Sequence, residues 1–213
     1  MNRGGGQRHE DSRRRATRQR IACEAARLMA TQGLQDSREA TRRAARALGE
    51  SSEQAWPRHE EVLAQLRDYQ RLFLSDTQPA ALLQRREAAL EAMAFLAGFE
   101  PRLYGAVLDG SAGADAPVRL QVFAEDPEAF ARFLADQGWP VTEFEQRLQL
   151  QRDRAQAFLG WRFQAGGVPF EILALPPALL RQAPLGPDGR PMARASASAL
   201  RALLADQREA SGL

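Results

Sequence analysis

The apolar residues of this chain change their period after Pro101. Up to Phe99 they recur every three or four positions, and from Arg102 onward many alternate with polar ones. Periods of 3.6 and 2.0 belong to helices and strands, so the switch orders the chain: helices first, a sheet afterwards. Ile21, Ala25, Leu28 and Met29 fall on one stripe of a helix that begins at Arg14 and stops at Gly33. A second helix, Ser37 to Leu48, carries Ala40, Ala44, Ala47 and Leu48 at the same spacing. Two short helices with alanine-rich faces form a hairpin that must dock on something to be stable. "RHEEVLAQLRDYQRLFL" then presents Val62, Leu66, Tyr69 and Phe73, and "PAALLQRREAALEAMAFLAGF" presents Leu83, Leu90, Met93 and Ala97.

Strands are expected over 102–108, 117–124, 141–150, 157–165 and 168–175. "EDPEAFARFLADQGW" reads as a helix with Asp126 as N-cap and Pro127 in its first turn, and Gly166-Gly167 suits a two-residue hairpin turn. A Gly/Pro loop leads into a last helix over 196–207. The expected fold class is α+β, a helical N-terminal region followed by a mixed sheet of about five strands packed with helices. The expected divisions are a disordered arginine-rich arm over 1–15, a helical region over 16–76, the α+β domain over 77–183, and a loop with a C-terminal helix over 184–213.

Arginine supplies all 29 basic residues, because the chain has no lysine. That excludes a Walker-type phosphate loop and Schiff-base chemistry. With only His9, His59 and Cys23, a zinc site of the Cys/His kind cannot form within one chain. A Ser-His or Cys-His nucleophile pair is not expected either, since His9 falls in the arm and His59 at a helix start. Cys23 reads as a small apolar residue on a buried helical face, and a lone cysteine agrees with a reducing compartment. No stretch reaches the ~20 apolar residues of a membrane span, and the N-terminus has no apolar signal segment. The expected location is cytoplasmic, without a membrane.

Between the fourth helix and the later strands stands "LYGAVLDGSAGADAPVRLQVFAED", and later "VPFEILAL". The order of helix, strand, glycine turn, strand, helix and further strands resembles the nucleotidyltransferase fold of the polymerase-beta-like superfamily. That family's pattern is a strand ending in Gly-Ser, a second glycine, Asp-x-Asp on the next strand and a third carboxylate on a later one. The resemblance, over residues 80–175, puts Gly105-Ala106 at Gly-Ser, Gly110 at the second glycine, Pro117-Val118-Arg119 at Asp-x-Asp and Glu171 at the third carboxylate.

Two-metal transfer needs carboxylates on one strand face to hold Mg²⁺ ions about 3.5–4 Å apart. Residues 117 and 119 share a face, but they offer a proline and a cation. A guanidinium repels Mg²⁺, and Glu171 alone cannot supply the oxygen ligands that two hard cations want. No catalytic residue, metal or cofactor is therefore expected. Arg119 and Glu171 are expected to lie together on that face as an ion pair, or else to be unrelated surface groups. Mg²⁺ and a nucleoside triphosphate enter only under the alternative of an active enzyme with relocated carboxylates, drawn from Asp109, Asp115, Glu125 and Asp126. The turn "DGSAGAD" reads as a flexible connection, or as backbone N–H groups offered to a phosphate.

Charge is uneven along the chain. Residues 1–49 hold 12 arginines against 5 acidic residues, and the remainder is net acidic. Arg13, Arg14, Arg15, Arg18 and Arg20, with Arg42, Arg43 and Arg46 on the second helix, are the candidate nucleic-acid-binding residues. The competing reading is a solubilising arm. "RIACEAARLMATQG" with "ATRRAARALG" also resembles the DNA-binding domain of tetracycline-repressor-type regulators, but "ESSEQAWP" is too short and broken to be a recognition helix. The expected function is a catalytically degenerate nucleotidyltransferase-like protein that binds nucleic acid, RNA favoured by the resemblance, or serves as an adaptor. A further alternative is a scaffold that pairs with a protein partner or with itself through the N-terminal helices.

Overall fold

A computed structural model describes residues 4–34 and 36–211. The chain divides into two compact units, Met1–Ser75 and Asp76–Leu213.

The first unit is helical. Helix α1 (Gly4–Gln32) lies against α2 (Ser37–Ala47) and α3 (His59–Phe73), with a 3-10 turn at Glu53–Ala55 between the last two. Ile21, Ala25 and Leu28 of α1, Ala40, Ala44 and Ala45 of α2, and Val62 of α3 close its core. Small alanine faces let the helices approach closely, and α3 is the partner that the α1–α2 hairpin lacked. Asp36 caps α2, its carboxylate accepting from the Arg38 N–H at 2.8 Å. Ser37 Oγ meets His59 Nδ1 at 2.6 Å, which ties the start of α2 to the start of α3.

Several expectations change here. Helix α1 covers residues 4–15, where a disordered arm was expected; residues 1–3 of that arm lie outside the described residues. Cys23 is exposed rather than buried, and its thiol donates to Gln65 Oε1 at 3.0 Å. Ile21, Ala22, Ala25 and Ala26 take the buried arc of α1, and position 23 falls off it. On α2, Ser37 and Thr41 are buried while Ala47 is exposed. On α3 the buried side ends at Gln70, leaving Phe73 67% exposed.

The second unit is α+β. Helix α4 (Gln78–Phe95) leads into β1 (Arg102–Tyr104), the short α5 (Ala106–Asp109), β2 (Val118–Phe123) and α6 (Pro127–Asp136). Then come β3 (Thr142–Gln151), β4 (Arg154–Ala165), β5 (Val168–Leu175), α7 (Ala178–Arg181), β6 (Arg194–Ala195) and α8 (Ala197–Ser211). The sheet has six strands in the order β3-β4-β5-β2-β1-β6. Only β2 and β5 run parallel; every other neighbouring pair is antiparallel. The β4–β5 hairpin turns on Gly166 and Gly167, both with positive φ as a tight hairpin turn needs.

Two details depart from the expected layout. β1 ends at Tyr104, and the residues expected to continue it form α5. Residues 184–213 belong to this unit: β6 pairs with β1, and Leu200 and Leu204 of α8 enter the main core.

One sheet face carries Leu103, Leu120, Val122, Trp161 and Ile172 under α4, α6 and α8. The opposite face is divided. At one end Phe123, Phe158, Leu173 and Leu175 pack under Leu179 of α7; at the other end the row is polar. No described helix is long and apolar enough to cross a membrane.

Candidate functional site

Strand register brings one line of side chains across the second face. Arg162 pairs with Glu171, Glu171 with Arg119, Arg119 with Tyr104, and Tyr104 with Arg194. Register partners point to the same face, so five residues scattered between positions 104 and 194 form one row. The row holds three guanidinium groups and one carboxylate.

Glu171 is the hub. Its Oε2 accepts from Arg119 Nε at 2.8 Å and its Oε1 from Arg162 Nε at 2.9 Å. Burial alone would push the Glu171 carboxyl up, but the Arg119 charge and the bonds from both arginines outweigh it and hold the group below the usual range. Glu171 is thus ionised, with each oxygen bonded to an arginine.

Each arginine reaches Glu171 through Nε, and the terminal Nη groups of both have no other hydrogen-bond partner among the described residues. Arg162 is further placed by Phe144, whose ring centroid lies 4.1 Å from the guanidinium carbon. Phe144 lies flat because Gly160 is beneath it: a Cβ there would sit 2.6 Å from the ring. Gly105 is constrained by its backbone, at φ +76, a conformation that side chains rarely adopt.

Tyr104 is 4% exposed and its hydroxyl has no hydrogen-bond partner among the described residues. Leaving such a group unpaired costs about 1–3 kcal/mol. Burial is the main cause of a phenol pKa pushed up to about 12, with the Arg119 charge opposing it. The hydroxyl therefore stays a neutral donor at any ordinary pH. At the end of the row Arg194 is committed elsewhere, donating to the carbonyls of Leu179 and Leu180 at 2.8 and 3.0 Å and to Gln121.

The glycine turn is held from α4. Arg86 donates to the Val107 and Leu108 carbonyls, Arg85 to that of Ala116 at 2.8 Å, and Gln78 to those of Gly110 and Ala112, both at 3.0 Å. Burial lowers the pKa of both arginines. The loop is pinned carbonyl by carbonyl, contrary to the flexible connection expected. Gly105 caps α5, Ala106 opens it, Gly110 closes it, and Pro117 lies just before β2.

The other carboxylates near the turn have structural partners or are exposed. Asp109 accepts from the Ser111 N–H at 2.9 Å, and Asp126 caps α6 through the Glu128 N–H at 2.9 Å. Asp115 and Glu125 are exposed. Among the described residues, no group of three or more His, Cys, Asp or Glu side chains is placed to hold a metal ion.

The basic residues of the helical unit do not form a single face. Arg13, Arg14, Arg15 and Arg20 are exposed around α1. Arg18 is partly buried and donates to the Gln54 carbonyl at 3.3 Å, which removes it from the exposed set. On α2, Arg42, Arg43 and Arg46 fall on the solvent side, where Arg42 and Arg43 share the carboxylate of Glu39. The alanine face proposed for self-association is buried inside the unit. Eleven residues separate α2 from α3, far more than the ~3–4-residue turn of a helix-turn-helix.

Sequence reasoning missed Arg162 and Tyr104. Arg162 looks like any solvated strand arginine, and only the β4–β5 register places it on Glu171. The alternation of β4 carried the one available signal: Arg162 lies on the face opposite Trp161 and Phe163. Comparison with known proteins adds no relative: no family model matches the chain, and no curated protein or solved structure is significantly similar to it.

Proposed function

We propose that the chain is a catalytically degenerate protein resembling the nucleotidyltransferase fold, and that it acts as a nucleic-acid-binding or adaptor module. The observation that carries the non-catalytic part is the engagement of both Glu171 oxygens by Arg119 and Arg162. Each oxygen of a carboxylate so held already faces a cation, its charge is spent on the two arginines, and the neighbouring guanidiniums repel a divalent ion. Asp109 and Asp126, the nearest substitutes, serve the turn and the α6 cap.

Nucleic-acid binding is supported by the exposed arginines of the first unit. Arg13, Arg14, Arg15, Arg20 and Arg46 present forked donors to solvent, and Arg42 and Arg43 carry two positive charges against the one of Glu39. RNA is favoured over DNA through the resemblance alone, since many members of that superfamily handle RNA.

Fluorescence anisotropy with labelled single-stranded RNA, single-stranded DNA and duplex DNA tests the binding. The expected result is affinity that falls steeply between 50 and 200 mM salt, with a log–log slope of roughly −0.7 per phosphate contacted on a single strand. Replacing Arg13, Arg14, Arg15, Arg42 and Arg43 by Gln should weaken it at least tenfold. No binding of any of these at low salt would overturn the reading.

A further inference from the structure

We propose that Arg119 and Arg162, bridged by Glu171 and flanked by the Tyr104 hydroxyl, form a site for a phosphate monoester that works without a divalent cation. The site goes beyond nucleic-acid binding by the helical unit and does not require it.

Four features converge. The first is unused donor capacity: each arginine spends its Nε on Glu171 and keeps its two Nη groups, which have no partner among the described residues. Guanidinium forks match the oxygens of a phosphate. The second is placement. Arg119 and Arg162 flank β5 from either side, so their backbones stand about 10 Å apart, two strand spacings. Their heads converge over Glu171, and an anion resting above that carboxylate meets donors from both directions.

The third feature is charge. Glu171 cancels one of the two positive charges, and Arg194, bonded to neutral acceptors, adds positive potential on the same face. Glu171 orders the arginines as an anionic orienter, leaving their outer edges to a ligand, and Phe144 fixes the plane of Arg162. The fourth is the buried Tyr104 hydroxyl, a donor in the same row with no acceptor among the described residues. Access is open at Arg162, whose side chain is 54% exposed, and narrower at Arg119, at 24%. A recessed, pre-ordered pair of forks suits a compact dianion better than an extended peptide carboxylate.

Guanidinium charge takes the place that a bound cation would otherwise fill, so chelation should not matter. The full chain is titrated by calorimetry in EDTA with inorganic phosphate, adenosine monophosphate, adenosine, and an RNA oligonucleotide bearing either a 5′-phosphate or a 5′-hydroxyl. Phosphate and the monophosphate should bind, and adenosine should not. Phosphate as tight as the monophosphate identifies the free ion as the ligand. A monophosphate, or 5′-phosphorylated RNA, at least tenfold tighter identifies a nucleotide-borne phosphate.

Arg162→Gln, at an exposed position, should weaken binding at least tenfold. Arg119→Gln should do the same, and Tyr104→Phe should cost about threefold. Neutralising Arg13–Arg15, Arg42 and Arg43 should leave monophosphate binding unchanged, which separates this site from the helical one. Absence of binding at millimolar phosphate and monophosphate, a requirement for Mg²⁺, or equal binding by Arg162→Gln would overturn the proposal.

Discussion

Gly160→Ala should lower the stability of the α+β unit by about 3 kcal/mol, at the upper end of what overpacking costs. Added to Gly160, a Cβ would lie 2.6 Å from the Phe144 ring and 2.8 Å from the Ile172 carbonyl oxygen. The ring can rotate away, but the carbonyl belongs to the central strand β5 and cannot shift without straining its ladder. Loss of the ring's position then removes the surface on which Arg162 rests, and with it one of the two donors to Glu171. Urea unfolding followed by tryptophan fluorescence reads this directly, because Trp161 is the next residue and is 1% exposed. A midpoint shift to lower urea with unchanged slope is expected. An unchanged midpoint would mean that the close approach at Gly160 is not a constraint.

Arg86→Met should cost a comparable amount, about 3 kcal/mol, while keeping the apolar stem. Arg86 is 6% exposed and donates to the last two interior carbonyls of α5 and to Gln207 Oε1 at 2.6 Å. Removing the guanidinium leaves the buried Val107 carbonyl unpaired, at about 1–3 kcal/mol, and strips the partly buried Leu108 carbonyl and Gln207 of their donor. The exposed Arg201→Met on α8 is the control and should stay within about 0.5 kcal/mol of the parent. Amide hydrogen exchange should show the glycine turn opening faster in the Arg86 variant, since its carbonyls lose their anchors on α4. Equal exchange in variant and parent would show that the turn holds itself.

Much of the fold was legible from period and punctuation. Strands β3, β4 and β5 and the helix between Pro127 and Asp136 follow alternation, the Asp126 cap and the glycine pair, all local signals, whereas β6 lies in what read as a loop. The helical faces were less legible where polar side chains intrude. On α4 the fully buried side runs through Leu82, Arg85, Arg86, Ala89 and Met93, while the expected Leu83 and Leu90 pack against the core only partly buried, at its edge. Arg85 and Arg86 share that side, and their burial depends on carbonyls more than twenty residues away, which no local pattern shows. Nothing in the composition of residues 4–15 marked a helix, since that stretch of α1 lacks an apolar stripe.

The site was half legible. Strand alternation put Arg119 and Glu171 on faces that could meet, and the parallel β2–β5 register makes them direct neighbours. Arg162 and Tyr104 join them only through registers with β5 and β2, which no local pattern encodes. Register is a property of the assembled sheet, so residues that owe their role to it read as ordinary strand residues.

The carboxylate of Glu171 is held by Arg119 and Arg162, and a metal ion should find no site there. Titration of Mn²⁺ into the protein with adenosine triphosphate present, following free Mn²⁺ by electron paramagnetic resonance, reads this. The free-ion signal should equal that of nucleotide and Mn²⁺ alone, unchanged by protein and unchanged again in Glu171→Gln. Saturable loss of that signal at one or two ions per chain, abolished by Glu171→Gln, would contradict it.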